Sequence, residues 1–140
     1  MSNIKYFLHP VVENETKDVI ISKRFKDDDG NLVPFKIKVL SQAENEKLRV
    51  RASKPIKRNG VIVGQDFDSI KYGNMLVIAS VVEPNFADAE LCKAYNTLDP
   101  EEVPGKMLTA GEFNKLVRAI NDLNGFSEDT EEVLEAEAKN

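Results

Sequence analysis

The side chains that could carry out catalysis are few and lie far apart in this chain. Cys92 is the sole thiol and His9 the sole histidine. A nucleophilic cysteine needs a neighbouring base that lowers the pKa of its thiol, and the sequence places no histidine near Cys92. There is also no G-x-S-x-G motif, P-loop or dinucleotide-binding glycine pattern. The sequence therefore predicts no enzyme activity, and we interpret Cys92 as a half-buried structural thiol on a helix.

The acidic run Asp27–Asn31 resembles a fragment of a calcium-binding loop. If Gly30 occupied the sixth position of such a loop, Phe25 and Lys36 would occupy the first and twelfth positions, where carboxylate ligands are required. His9 has no Cys or His partner at ligand spacing. We therefore expect a hairpin turn at this run, no metal site and no cofactor.

One group of charged residues is less easily explained as ordinary surface. Arg49, Arg51, Lys54, Lys57 and Arg58 gather within residues 49–58 of a chain whose net charge is -5. Cations near the end of a helix are often only solvated and favoured by the helix dipole. The alternative is a docking patch for an acidic partner segment or for nucleic acid. No aromatic residue interleaves with these cations, which argues against stacking on single strands, and the acidic balance argues against a dedicated nucleic-acid binder.

The bulk composition indicates one domain with an aliphatic core. The chain has 140 residues, of which 41% are hydrophobic, 7% are aromatic and none is Trp. A single cysteine cannot form an internal disulfide. The N-terminus does not resemble a signal peptide, and no segment approaches the roughly 20 apolar residues that span a bilayer. We expect a soluble, cytoplasmic protein.

The order of the sequence patterns predicts a single α+β domain that positions these residues. Residues 1–17 show no clear period and are expected to form an arm. Residues 18–126 are expected to form the domain, with an N-terminal β-hairpin over 18–40 packed against a bundle of about four α-helices within 41–126. Residues 127–140 carry six carboxylates and one lysine, and this composition predicts a disordered acidic tail.

Two β-rich runs around the Asp-Gly turn predict the hairpin. In its second strand, the alternation of apolar and charged residues places Phe35, Ile37 and Val39 on one buried face. The arm contributes three further apolar side chains that could dock on the domain: Tyr6, Phe7 and Leu8.

Capping signals and apolar spacing predict the helices. The first begins at the capping box of Ser41 and runs to about Ala52. The second and third are expected over residues 67–82 and 86–95. Residues 53–66 are expected to form a mobile loop, with Asn59-Gly60 as a tight turn and a small ribbon as an alternative. An irregular connector is expected over residues 98–106.

The last helix carries the clearest pattern. A second capping box spans Thr109–Glu112, an apolar stripe then recurs at helical spacing, and Gly125-Phe126 indicates a Schellman stop. The candidate partner-contact residues on this helix and just after it are Phe113, Leu116 and Phe126.

These segments resemble the XkdN-like family of phage tail assembly chaperones. The resemblance covers roughly Ile4 to Phe126 and rests on four stretches: FLHP, VPFKIKVLSQAENEKLR, VVEPNFADAELCKAYN and GEFNKLVRAINDLNGF. The matching patterns are packing and turn signals, so their specificity comes from order and extent.

The resemblance implies a non-enzymatic role in building the tail of a phage or prophage particle. Such chaperones coat the elongated, coiled-coil-rich tape measure protein, help tube subunits polymerise around it, and are absent from the mature virion. The implied partner in the bacterial host cytoplasm is the tape measure protein. The resemblance also implies the tail tube protein as a partner. A frameshifted longer form of the chain is a further candidate, since Ala138-Lys139-Asn140 can be encoded with a slippery heptamer. We expect the groove for the tape measure protein between the second helix and the helix that follows Thr109. Neither membrane nor nucleic acid is expected as a partner.

The competing interpretation belongs to another functional class. A regulatory or nucleic-acid-associated prophage protein would use the basic patch at residues 49–58 to contact its target. Binding measured at varied salt separates the two, because phosphate contacts make affinity strongly salt-dependent.

Overall fold

The computed structural model describes residues 3–10 and 16–126. In chain order the elements are α1 (Lys5–Leu8), β1 (Thr16–Val19), β2 (Phe35–Lys38), α2 (Gln42–Arg51), β3 (Ser53–Arg58), β4 (Val61–Phe67), α3 (Ser69–Ser80), β5 (Val81–Glu83), α4 (Ala89–Ala94), a 3₁₀ turn (Pro100–Glu102), α5 (Val103–Met107) and α6 (Ala110–Leu123). The predicted α+β class is confirmed. The acidic segment at 127–140 lies outside the described residues, so its predicted disorder stays a prediction.

A three-stranded antiparallel sheet in the order β1-β2-β5 supports the helices. Phe35 and Ile37 point from β2 into the core, as the alternation predicts. Val39 is exposed, so its predicted place on the buried face is wrong. The reason is that β2 ends at Lys38, and the pleat that would carry the alternation further ends with it.

The acidic turn between β1 and β2 is held by its own first residue. The Asp27 carboxylate accepts hydrogen bonds from the backbone N–H groups of Asp29 and Asn31, both at 2.9 Å. Gly30 has a φ of 83°, a left-handed conformation that glycine adopts without steric penalty. The predicted hairpin turn is therefore confirmed, and the Asp27 side chain is engaged in the turn.

The second helix ends earlier than its sequence pattern predicts. α3 stops at Ser80 and the chain passes directly into β5, which pairs with β2 at the edge of the sheet. Val81 and Val82 are β-branched, which favours extended backbone. The apolar run that we read as the end of one helix thus supplies a third strand.

The segment at 53–66 is regular β-structure rather than a loop. β3 and β4 pair in antiparallel register from Ser53 opposite Phe67 to Arg58 opposite Val61. The two-residue turn has φ values of 52° at Asn59 and 77° at Gly60, as Asn-Gly hairpin turns require. We call β3 and β4 together the ribbon. The small ribbon considered as an alternative is thus the structure that forms.

The connector at 98–106 is also more regular than predicted. It contains the 3₁₀ turn and α5, in which Pro104 is the second residue and its missing N–H is tolerated in the first turn. Val103 and Pro104 are buried there. Two prolines and a glycine signal a chain break in sequence, but here Pro100 begins the 3₁₀ turn, and Pro104 and Gly105 lie within α5.

Within the described part of the arm, the three apolar side chains at residues 6–8 do not dock on the domain. α1 is a single helical turn with no buried residue, and Tyr6, Phe7 and Leu8 are exposed. The predicted docking of these three residues is wrong. One helical turn offers little area for burial against the entropy of ordering it.

α6 forms as its sequence predicts. Thr109 and Glu112 exchange both hydrogen bonds of the capping box. At the other end, the N–H of Phe126 donates to Asn121 O and the N–H of Gly125 donates to Asp122 O, which is the Schellman pattern. The capping box at Ser41 forms as well. The core lies between the sheet, α3 and α6 and contains the largest fully buried aliphatic side chains: Ile37, Val77, Val103, Leu116 and Ile120.

Candidate partner-binding surface

The ribbon is an exposed two-stranded extension of the domain. All its residues in β3 and β4 are exposed except Ser53 and Gly64, which are half-buried. Its two strands pair with each other and form a sheet of their own. A lone two-stranded hairpin is only marginally stable in water, and the outer edge of each strand offers unpaired backbone groups. Such an element is suited to contact with a partner.

The root of the ribbon is nevertheless fixed to the domain. The N–H of Asp68 donates to Ala52 O at 2.8 Å, which joins the residue after β4 to the residue before β3. The Phe67 ring lies 5.6 Å from the Tyr72 ring, and the Arg49 guanidinium lies 5.2 Å above Phe67. These contacts attach the ribbon to α2 and α3.

The ribbon carries aliphatic side chains that water contacts directly. Ile62 and Val63 are 58% and 57% exposed. Exposed apolar side chains that lie close together can mark a site where a partner binds. The complete set of exposed aliphatic residues on the ribbon is Ile56, Val61, Ile62 and Val63.

The five predicted cations are brought together on the last turns of α2 and on β3, but they do not all remain available. Arg49 lies over Phe67, and Arg51 forms an ion pair with Glu101 at 3.1 Å. On β3, Lys54, Lys57 and Arg58 are exposed and have no ion pair within the described residues. We call the ribbon with these α2 cations the ribbon surface.

The three candidate residues on α6 and just after it lie in different environments. Leu116 is fully buried, so its predicted role in contacting a partner is wrong. The stripe of α6 packs on α3, β1 and β2, because an apolar stripe serves core packing as well as recognition. Phe113 is half-buried against the core. Phe126 is exposed and lines a cleft of about 130 Å³ beside the start of α2.

Sequence reasoning missed an ion pair that joins the first hairpin to α6. Arg24 donates from Nε to Glu112 Oε2 and from Nη2 to Met107 O, both at 2.9 Å, and Nη2 also contacts Glu112 Oε1. The hydrogen bond from Arg24, followed by those from Ser22 and the Thr109 backbone, holds the pKa of Glu112 well below its usual range. No local motif marks Arg24, because 88 positions separate the partners.

Sequence reasoning also missed a wider cleft beside α4. It has a volume of about 590 Å³, and its rim includes Leu98, whose side chain is fully exposed. Cys92 lines it, lies on α4, and is buried rather than half-buried as predicted; its thiol contacts Phe86 O at 3.3 Å. An exposed leucine in a connecting loop has no sequence signal of its own, since single exposed apolar residues are common.

The described part of the chain offers no arrangement for metal chemistry. Between residues 3–10 and 16–126, no three His, Cys, Asp or Glu side chains come close enough to hold an ion. Within the same residues, no helix is both long and apolar enough to span a bilayer.

Comparison with known proteins matches the whole length of the domain. Residues 4–139 match the model of the family described as phage XkdN-like tail assembly chaperone protein. The chain is 36% identical over 132 residues to phage-like element PBSX protein XkdN of Bacillus subtilis, covering 92% of this chain and 87% of that protein. It has the same identity and coverage with the uncharacterized protein YqbN of Bacillus subtilis.

The fold is similar to a solved structure as well. The crystal structure of YqbN superposes with a TM-score of 0.75 at 28% identity, covering 91% of this chain and 99% of that one. The sequence match and the shared fold agree over the same span, so this chain belongs to the XkdN-like family of phage tail assembly chaperones.

Proposed function

We propose that this chaperone binds the tape measure protein through the ribbon surface while the tail is assembled in the host cytoplasm. The observation that carries the proposal is the ribbon, where exposed Ile62 and Val63 lie close to Lys57 and Arg58 in the paired strands. Membership of the tail assembly chaperone family supports the role. We propose a non-enzymatic role. The tail tube protein and a longer form of this chain are proposed as further partners, and only the family resemblance supports them.

The chemistry of the ribbon surface fits a long helical partner. Helices that form coiled coils expose an apolar stripe flanked by charged residues until they assemble. The aliphatic side chains of the ribbon would cover such a stripe, and its cations would face acidic flanking positions. Each contact can be weak, because many chaperone copies along one polymer act together.

Co-purification with a tape measure fragment tests this proposal. The double variant Ile62→Ser with Val63→Ser removes apolar surface from the ribbon and is expected to weaken binding at least tenfold, about 1.4 kcal/mol. The matched control is Leu32→Ser with Val33→Ser, which changes two exposed residues on the other hairpin. Binding that is lost equally in both variants, or in neither, would contradict the assignment to the ribbon.

A regulatory or nucleic-acid-associated role is the second candidate, favoured by the exposed cations on β3. A two-stranded ribbon fits the major groove of DNA in size. Titration with duplex DNA at several salt concentrations separates the two roles. A chaperone should show little affinity at physiological salt, whereas steep salt dependence whose slope becomes shallower on Lys57→Gln would favour the nucleic-acid role.

A further inference from the structure

The charges of the chain are strongly segregated. Between Lys47 and Gln65 there are six Lys or Arg residues and no Asp or Glu. All six cations are exposed in the structure. Residues 127–140 carry six carboxylates and one lysine, so the net charge of this segment is -5. This is also the net charge of the whole chain.

The remaining surface is acidic. Outside residues 47–65, the chain up to Phe126 contains twelve Lys or Arg and eighteen Asp or Glu residues. An acidic segment attached to this domain is therefore repelled by most of it and attracted to the ribbon surface. At physiological ionic strength such forces act over about 8 Å, so the segment must come close to gain from them.

The point where α6 ends brings that segment within reach. The Asn124 side chain accepts a hydrogen bond from the Leu40 N–H at 2.9 Å, which fixes the end of α6 beside the start of α2. Phe126 lines the same cleft as Ser41 and Gln42. The segment 127–140 is therefore attached to the domain beside the N-terminal end of α2. The C-terminal end of α2 leads into the ribbon.

The lengths agree with this route. The ten residues of α2 rise about 15 Å, and the six residues of β3 extend about 20 Å further. Fourteen residues, from 127 to 140, can span up to about 46 Å when extended. The segment is thus long enough to reach the turn of the ribbon at Asn59-Gly60.

We propose that residues 127–140 dock electrostatically on the ribbon surface of the same chain. Attachment through Phe126 gives the segment an effective concentration in the millimolar range, which favours its own ribbon over that of a second copy. Two ribbons facing each other would place cation against cation, so charge also disfavours direct pairing of copies. Docking leaves the ribbon occupied when no partner is present, and it does not depend on the identity of that partner.

Paramagnetic relaxation in the full chain tests the proposal. A nitroxide is attached through Leu134→Cys in a Cys92→Ala background, and amide signals are compared with those of the reduced label. We expect the amides of residues 47–65 to lose most of their intensity at low salt, and to recover near 1 M salt, where the screening length is about 3 Å. Equal broadening over the whole domain, or none, would overturn the proposal.

Two controls separate the outcomes. Lys54, Lys57 and Arg58 are changed together to Gln, which should abolish the broadening, while changing Lys17, Lys23 and Lys26 to Gln should leave it intact. In a mixture of two samples, one protein carries the nitroxide and the other carries only the isotope label. The isotope-labelled protein should show no broadening, and broadening of its signals would assign the contact to a second copy. These assays contain no tape measure, so their failure is distinct from failure of the proposed function.

A second measurement needs no cysteine change. Replacing the six carboxylates of residues 127–140 by their amides in the full chain should shift the amide resonances of residues 47–65 and few others. Unchanged ribbon resonances in this folded variant would contradict docking.

Discussion

Helix α6 and the ribbon both combine aliphatic side chains with charged ones, but they place them in opposite environments. α6 buries Leu116 and Ile120 completely and engages Glu112 with Arg24. The ribbon exposes Ile62 and Val63 and leaves Lys57 without an ion pair in the described part of the chain. The comparison indicates that α6 maintains the fold, whereas the ribbon leaves its aliphatic and cationic side chains exposed.

The largest contrast should appear in core truncation. Leu116→Ala is expected to lower the free energy of unfolding by about 2–5 kcal/mol, because it removes buried methyl groups and leaves a cavity. Ile62→Ala on the ribbon should change it by no more than about 0.5 kcal/mol. Urea denaturation of both variants measures the difference, and similar losses would show that the ribbon is part of the cooperative core.

Capping should give a smaller effect confined to α6. Thr109→Ala removes the hydroxyl that accepts from the Glu112 N–H at 3.2 Å, and about 1 kcal/mol of stability should be lost. Ser69→Ala is the control, since this exposed serine is the first residue of α3 and Asp68 provides its cap. Equal losses from both changes in thermal denaturation would argue against a special role for the capping box.

The Arg24–Glu112 pair predicts a pH dependence. Because the pKa of Glu112 is lowered in the folded state from a usual value of 4.5, the pair stabilises the fold fully above about pH 4.5. That contribution is lost as the pH falls through the lower folded pKa. Glu112→Gln keeps a capping-box side chain and should flatten the dependence of stability between pH 5 and 2.

Unfolding curves recorded across this range compare the variant with the wild type. An unchanged pH profile in Glu112→Gln would assign the acid sensitivity to other carboxylates. Glu44 is the nearest alternative, because hydrogen bonds from the Ser41 backbone and side chain also lower its pKa.

The smallest effect on stability is expected from the ribbon cations. Changing Lys54, Lys57 and Arg58 together to Gln should alter the free energy of unfolding by at most about 0.5 kcal/mol, since exposed charges contribute little. Binding to an acidic partner segment should weaken and lose much of its salt dependence. Denaturant titration measures the change. A clear loss of stability would contradict the view that the ribbon cations contribute little to the fold.

Local signals predicted the parts of the fold that depend on neighbours in sequence. The capping box at Thr109, the Schellman stop at Gly125 and the turn at Asp27 all form as expected. β5 was missed because Val81 and Val82 suit the end of a buried helix as well as a strand, and only pairing with β2 decides between them.

The candidate site was predictable in part for the same reason. The clustering of Lys54, Lys57 and Arg58 could be seen in sequence, but the ribbon that displays them depends on register between β3 and β4. Leu116 was assigned to a surface because periodicity identifies an apolar face without saying what covers it. The contact between Arg24 and Glu112 is a product of the tertiary fold.

The hydrogen bond from Asp68 to Ala52 has a consequence for how this fold can diversify. It joins the two ends of the ribbon beside Ala52, which is buried. The domain therefore contacts the ribbon through Ala52 and Asp68, whatever the length of the strands between them. Adding or removing two residues in each strand of the ribbon keeps the pleat in phase. The length of the ribbon can therefore change while the contact between Ala52 and Asp68 stays the same.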